Sequence, residues 1–493
     1  GFAQDTDPSS PGAGSPGLAG FDCTAGHDQP SPHGSQSIYA EASKPTFSKI
    51  KIHMKKIKKT NSNNLYKKVD RIEVYIWGKF VGALALDPSL GYYVFVYDKA
   101  FGKSGIELSP LHMPLNDQER PFVFTDLPES TYRRLPAVLA DSLPDDFGNA
   151  LIDKYMAEKG ISKSQISALD RLAYMGRRSM GALEFKPTRG PKNTKPTALE
   201  MGTLVMEARK AVKGIVDDDD HAKAALRSII DVGTSAGGAR AKALIAWNQR
   251  TDEICSGQVD APPGFEAWLL KFDGMGKDRE LGSSQDYGRI EYAYYLMAKA
   301  AGIRISESRL FQENGRAHFM TQRFDRGKNG VKYHIQTLCA MGHLDYKKKS
   351  THSYEQFLMT IRELKIGHEA EVEAFRRMVF NIMGRNCDDH TKNISFLLRQ
   401  GSSWELAPAY DVSFAHNPEG EWTSQHLMSV GGKFKDFSED DVLRVADRFG
   451  MGEASSVVKD VQSAIQDWPA FAKSAGVSSE EIRRIQGLHL SLK

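Results

Sequence analysis

The sequence predicts an α+β chain of two lobes, β-rich on its N-terminal side and mainly helical towards its C-terminus. Three observations carry this. Apolar residues alternate with a period of two between Arg71 and Tyr97, as half-buried strands require. Beyond Tyr354 the apolar residues follow a helical period instead. That helical region is broken by one polar knot, Met383 to Phe396 (MGRNCDDHTKNISF), held between apolar runs. Such a knot, with both ends anchored in a core, is what a catalytic loop looks like.

Composition narrows the class. The chain has 493 residues, 40% of them hydrophobic and 26% charged, so it has room for two or three domains with a large core. A formal net charge of +3 is too small to argue for direct binding to nucleic acid or to a membrane surface. No apolar run reaches the length that spans a bilayer. The four cysteines, Cys23, Cys255, Cys339 and Cys387, are widely separated, which fits neither a zinc knuckle nor a disulfide framework. A reducing cytoplasm is the expected compartment.

In chain order, residues 1–65 form a Gly-, Pro- and Ser-rich leader ending in a lysine run, expected to be disordered because it cannot bury enough apolar surface. Residues 66–186 are expected to form a β-rich N-terminal subdomain. Its opening is a hairpin of Arg71–Trp77 and Phe80–Leu86 turning at Gly78-Lys79, with Tyr92–Tyr97 as a third strand. Helices follow at Asn149–Lys159 and Arg171–Met175. Residues 187–355 begin with a linker from Pro187 to Pro196. They continue with a helix at Glu200–Ile215, an acidic run at Asp217–Asp220 capping the next helix, and a glycine-rich turn from Gly233 to Lys242. Then come a strand at Trp268–Phe272, a helix at Tyr287–Gly302, and paired strands at Arg309–Phe311 and His318–Thr321. Residues 356–493 are the helical lobe.

The chemistry lies in order and spacing. Asp388 and Asn393 are five apart, the D-x-x-x-x-N spacing of the protein-kinase catalytic loop, in which the Asp takes a hydroxyl proton and the Asn holds Mg²⁺. Asp411, after a short apolar approach, is placed as a second oxygen ligand for the metal. The glycine-rich turn, with Gly237 and Gly238, offers backbone N–H groups to phosphate oxygens. Lys271 stands alone in an apolar strand, where a charge needs a partner, and Glu291 on the next helix is the natural one. Phe319 to Phe324 is read as the hinge beside the adenine. Together these residues make an ATP- and Mg²⁺-dependent phosphoryl-transfer site on a protein-kinase-like bilobal core.

The chain resembles the HipA family of bacterial serine/threonine kinases, the toxins of type II toxin–antitoxin pairs. The motifs that carry the resemblance are N-x-D-D-H-x-K-N at Asn386–Asn393, Tyr410-Asp411, G-T-S-x-x-G-A-R-x-K at Gly233–Lys242, and Gln322–Arg326. Leu139–Asp145 and Leu427–Phe434 also resemble family signatures, and the likeness runs from about Val69 to about Phe471. It implies nucleotide contacts from Gly237, Gly238, Ala239, Arg240, Lys242, Lys271, Glu291, Gln322, Phe324, Asp325, His390 and Lys392, with His390 also orienting its loop. It implies autophosphorylation of the loop Ser235. It implies a helix-turn-helix antitoxin of HipB type as partner, DNA reached only through that antitoxin, and a protein substrate such as an aminoacyl-tRNA synthetase. Ala241 departs from the Pro or Glu of many relatives, which bears on loop stiffness. Two other readings stay open: a small-molecule or lipid kinase on the same core, and a pseudokinase serving as corepressor.

Overall fold

The alternation of Arg71–Tyr97 becomes a sheet because one face of each strand is apolar. In the computed structural model, which describes residues 66–144, 146–191, 242–258, 260–273, 286–313 and 315–492, Ile72, Val74 and Ile76 of β1 (Arg71–Ile76) are wholly buried. β1 pairs with β2 (Lys79–Asp87), and β2 with β3 (Tyr92–Tyr97), both antiparallel. The turn falls on Trp77-Gly78, one residue earlier than expected. Both residues have positive φ, the requirement of a two-residue hairpin turn, and glycine meets it at the second position.

Four helices follow: α1 (Glu129–Tyr132), α2 (Ala137–Ala140), α3 (Asp146–Ala157) and α4 (Ala168–Met175). α3 begins before its expected start. α4 also starts three residues early, because Ser167 and Asp170 form a capping box, each side chain engaging the other's backbone N–H. β4 (Leu183–Lys186) then returns to pair with β1 and completes a sheet of order β3-β2-β1-β4.

A second sheet has the order β6-β5-β7-β9-β8, from β5 (Lys242–Asn248), β6 (Glu253–Ser256), β7 (Glu266–Lys271), β8 (Ser308–Glu313) and β9 (Arg316–Gln322). Helix α5 (Tyr287–Ala300) lies between β7 and β8 in the chain. β10 (His334–Thr337), absent from the sequence reading, pairs with β12 (Ser395–Leu398), which forms a hairpin with β13 (Trp404–Leu406). Between β10 and β12 run α6 (Leu338–Met341), β11 (His352–Ser353), α7 (Tyr354–Glu363) and α8 (His368–Met383). β14 (Met428–Ser429) lies parallel to β11. The chain ends in α9 (Glu439–Arg448), α10 (Ala454–Gln466), α11 (Trp468–Ser474) and α12 (Ser479–Gln486). The architecture is α+β, as expected.

Two buried clusters organise these elements. One runs from the first sheet and its helices into β5, β7 and α6, through Ile245, Trp268, Leu270 and Cys339. The other fills the helical lobe and includes Ile290, Tyr294 and Met297 of α5. Among the described residues no helix is long and apolar enough to cross a membrane. Several expectations lie outside the described residues: the leader, the helix at Glu200–Ile215, the acidic run Asp217–Asp220, the second half of the linker, and the glycine-rich turn up to Ala241.

Polar contacts tie the N-terminal unit to the rest. Asp325, expected to touch nucleotide, is fully buried instead, between Arg323 (2.9 and 2.8 Å), Arg326 (2.6 Å) and the Gly181 N–H (2.8 Å). Its Oδ2, held by Arg323, Arg326 and Gly181, joins the segment after β9 to the residues before β4, while Oδ1 accepts from Arg323. Burial alone would raise its pKa, but Arg323 and Arg326 outweigh burial and hold the carboxyl well below the usual range. Asp325→Ala should therefore cost about 3–5 kcal/mol, since buried guanidinium groups lose their counter-charge. The readout is a lower urea midpoint at unchanged slope. Because the folded pKa is depressed, this stabilisation is present above about pH 4 and is lost as pH falls further. The acid limb of the stability profile should be flatter in the variant.

Candidate active site

The polar knot is held at both ends by backbone. α8 stops at Gly384, and Arg385 follows with a φ of 54°. The Asn386 N–H donates to Asn381 O (2.9 Å) and the Cys387 N–H to Ala415 O (3.0 Å). At the far end Thr391–Asn393 form a 3₁₀ turn that leads into β12, and the Thr391 hydroxyl donates to Leu344 O (2.6 Å). The Asn393 side-chain amide donates to the Asp388 carbonyl (2.8 Å), so these two residues brace one loop.

The adjacent carboxylates have opposite surroundings. Asp389 is buried and accepts from the Tyr354 hydroxyl (2.8 Å), His426 Nδ1 (2.8 Å) and the Leu427 N–H (2.7 Å). Asp388 keeps a side chain 49% exposed, with His390 Nε2 at 3.8 Å. Desolvation raises the Asp388 pKa; Asp411 and Asp389 act in the same direction, while His390 and Lys242 oppose it. Asp388 is thus the carboxylate available to a substrate. His426, which the sequence reading passed over, has its pKa pushed up to about 10. Burial works against that shift, and Asp389 beside it prevails.

Lys271, Glu291 and Asp411 meet. The Lys271 ammonium, at the end of β7, contacts Glu291 Oε1 from α5 and Asp411 Oδ1 from the loop after β13. Burial alone would lower the Lys271 pKa, but Asp411 and Glu291 more than offset it and the pKa is raised. Lys242 stands directly opposite Lys271 in the β5–β7 ladder. Like charges so placed repel, and Asp411 lies between them, its Oδ2 3.9 Å from Lys242 Nζ. Despite burial, Lys271 and Lys242 hold the Asp411 carboxyl well below the usual range. Asp411 has a φ of 53°, a left-handed conformation that aspartate tolerates better than most residues.

The remaining expected contacts are spread around this centre. Gln322 ends β9 opposite Trp268, and its N–H donates to Glu307 O (2.8 Å). The Phe324 ring lies 5.7 Å from that of Tyr410, whose hydroxyl donates to Lys392 O (2.8 Å). His390 and the Lys392 ammonium lie 5.1 and 5.3 Å from the Tyr346 ring. Ser235, Gly237, Gly238, Ala239 and Arg240 lie outside the described residues.

The donor set suits a hard cation with a phosphorylated ligand. Asp388, Asn393 and Asp411 present oxygen atoms, the ligands Mg²⁺ prefers. Among the described residues no group of three His, Cys, Asp or Glu side chains is placed to hold a metal by itself. His390 Nδ1 is buried without a hydrogen-bond partner among the described residues, a vacancy that a phosphate oxygen would satisfy.

Comparison with known proteins places the fold in a family. Residues 72–186 match the HipA N-terminal domain family and residues 234–468 the HipA-like C-terminal domain family. A curated Haemophilus influenzae protein named "Putative kinase" is 24% identical over 205 residues, covering 36% of this chain and 60% of that protein, so somewhat over half of the relative is matched. Among solved structures, the Shewanella oneidensis MR-1 toxin–antitoxin complex of HipA, HipB and operator DNA superposes with a TM-score of 0.60. That match has 16% identity and covers 84% of this chain and 95% of the other, a likeness that shows the fold. With both of its domains matched in order along most of its length, the chain belongs to the HipA family.

Proposed function

We propose that the chain is an ATP- and Mg²⁺-dependent protein kinase acting on serine or threonine, the toxin of a toxin–antitoxin pair. The observation that carries this is the convergence of Lys271, Glu291 and Asp411 on the lobe that presents Asp388 and Asn393. Bound Mg²⁺ would supply charge neutralisation for the phosphates during transfer. Asn393 and Asp411 would hold it. Lys271, kept protonated by its carboxylates, is a fixed positive charge for the phosphates, and Glu291 sets its direction. Lys242, His390 and Lys392 add donors around them. Asp388, partly exposed and with a raised pKa, takes the proton of the acceptor hydroxyl. The burial of Asp389 in its own network keeps the loop in shape while that proton moves.

The partner reading follows from the family. The Shewanella neighbour is solved with HipB and operator DNA, and a helix-turn-helix antitoxin of that type is the proposed partner here, with DNA reached through it. Ser235 is the proposed autophosphorylation site, and a component of translation such as an aminoacyl-tRNA synthetase the proposed substrate. Incubating the purified chain with cell lysate and γ-labelled ATP, then mapping phosphosites, tests the autophosphorylation site and the substrate. Label appearing on lipid or metabolites rather than protein would favour a small-molecule kinase.

Two substitutions separate the adjacent acids. Asp388→Asn should lower phosphoryl transfer roughly 10²–10⁴-fold with nucleotide affinity and melting temperature nearly unchanged. Asp389→Asn should instead lower the melting temperature, because His426 and Tyr354 lose a buried charged partner. The reverse pattern would exchange their roles.

Asp411→Ala should abolish most of the Mg²⁺ dependence of nucleotide binding, since an anionic oxygen is lost beside the phosphates. Calorimetric titrations with and without Mg²⁺ measure this. Equal Mg²⁺ dependence in variant and parent would remove Asp411 from the metal site.

A further inference from the structure

Helix α5 carries two buried polar groups one turn apart. Glu291 reaches Lys271, and Tyr294, three residues on and fully buried, reaches the other way. The Tyr294 hydroxyl donates to Gly384 O (2.5 Å), four residues before Asp388, and lies 2.9 Å from His489 Nε2. A phenol has one proton, and it goes to the Gly384 carbonyl. His489 Nε2 must therefore carry the proton of the second bond, and burial, which lowers the pKa of the ring to about 4, keeps it neutral.

His489 belongs to the segment after α12, and that segment brackets the same place. The Leu490 N–H donates to Met383 O (2.9 Å), and Arg385 Nε donates to Leu488 O (3.1 Å). Trp468 of α11 closes the assembly, its ring 5.3 Å from Tyr294 and 5.5 Å from His489. Three consecutive residues at the entry to the polar loop, Met383 to Arg385, are thus held by one C-terminal segment and one tyrosine.

We propose that Tyr294 is a positioning residue for phosphoryl transfer: clamped by His489, its hydroxyl sets the spacing between the helix that carries Glu291 and the loop that carries Asp388. A rigid helix transmits this, because Glu291 and Tyr294 lie on the same face one turn apart. Displacing one moves the other, and small errors in the spacing of reacting groups are costly. The proposal rests on the kinase reading above.

The test compares the full-length chain with Tyr294→Phe, His489→Ala and His489→Gln, each assayed well below its melting temperature. Tyr294→Phe keeps the buried ring and removes the bond. His489→Gln keeps a side-chain N–H donor near the position of Nε2. Expected for Tyr294→Phe and His489→Ala is a kcat about three- to tenfold lower, a KM for ATP within about twofold of the parent, and faster amide exchange confined to residues 384–393. His489→Gln should recover most of the kcat. Unchanged kcat and unchanged exchange in folded Tyr294→Phe and His489→Ala would overturn the proposal. So would a KM effect alone, or a loss of exchange protection spread evenly over the chain. A parent chain that transfers no phosphoryl group would defeat the kinase reading itself, and the exchange at residues 384–393 would still decide whether the clamp exists.

Discussion

The rest of the structure depends on the burial of one ammonium group, that of Lys271. An isolated charge in a protein interior is expensive, and here it is offset by two carboxylates from separate elements, Glu291 on α5 and Asp411 after β13. A sheet, a helix and a loop of the helical lobe are therefore tied at one point, and none can move away without leaving an uncompensated charge behind. Lys242, facing Lys271 across the β5–β7 ladder, tightens the constraint, since two adjacent cations need Asp411 near them.

Environment, more than identity, divides the labour among the acids. Asp388 and Asp389 are the same side chain on adjacent residues, but backbone direction sends one towards solvent and the other into the core. Asp389 meets a tyrosine, a histidine and a backbone N–H there. Satisfied in this way, a buried carboxylate rigidifies its surroundings. Among the described residues Asp388 has no such set of donors, and its side chain is 49% exposed. The loop thus contains its own scaffold and one carboxylate left accessible.

The N-terminal unit is continuous in packing with the core behind the site. Its apolar cluster runs on into β5, β7 and α6. Asp141 accepts from the Thr337 N–H (2.7 Å) and hydroxyl (2.9 Å), and Thr337 in turn caps α6. The Tyr132 hydroxyl donates to Cys339 O (2.9 Å), and the Trp77 indole N–H to Lys332 O (2.7 Å). These contacts and the Asp325 cluster make the first unit a buttress for the segment between β9 and α6, and indirectly for the catalytic loop.

The sequence by itself determined the fold class, six strands and three helices to within a few residues, and which side chains are candidates for the site. Those properties are local: period-two and helical patterning, and the five-residue spacing from Asp388 to Asn393. β10 escaped notice because His334 and Gln336, buried in it, break the apolar pattern that marks a strand. Tertiary structure decided the roles. Nothing in D-D-H says which aspartate is buried, because that depends on Tyr354 and His426, which lie dozens of residues away on either side. Nor could the motif around Asp325 say that both its oxygens would be taken by Arg323, Arg326 and Gly181. Pattern and spacing record what a residue is able to do; the partners that long-range packing brings within hydrogen-bond distance decide what it does.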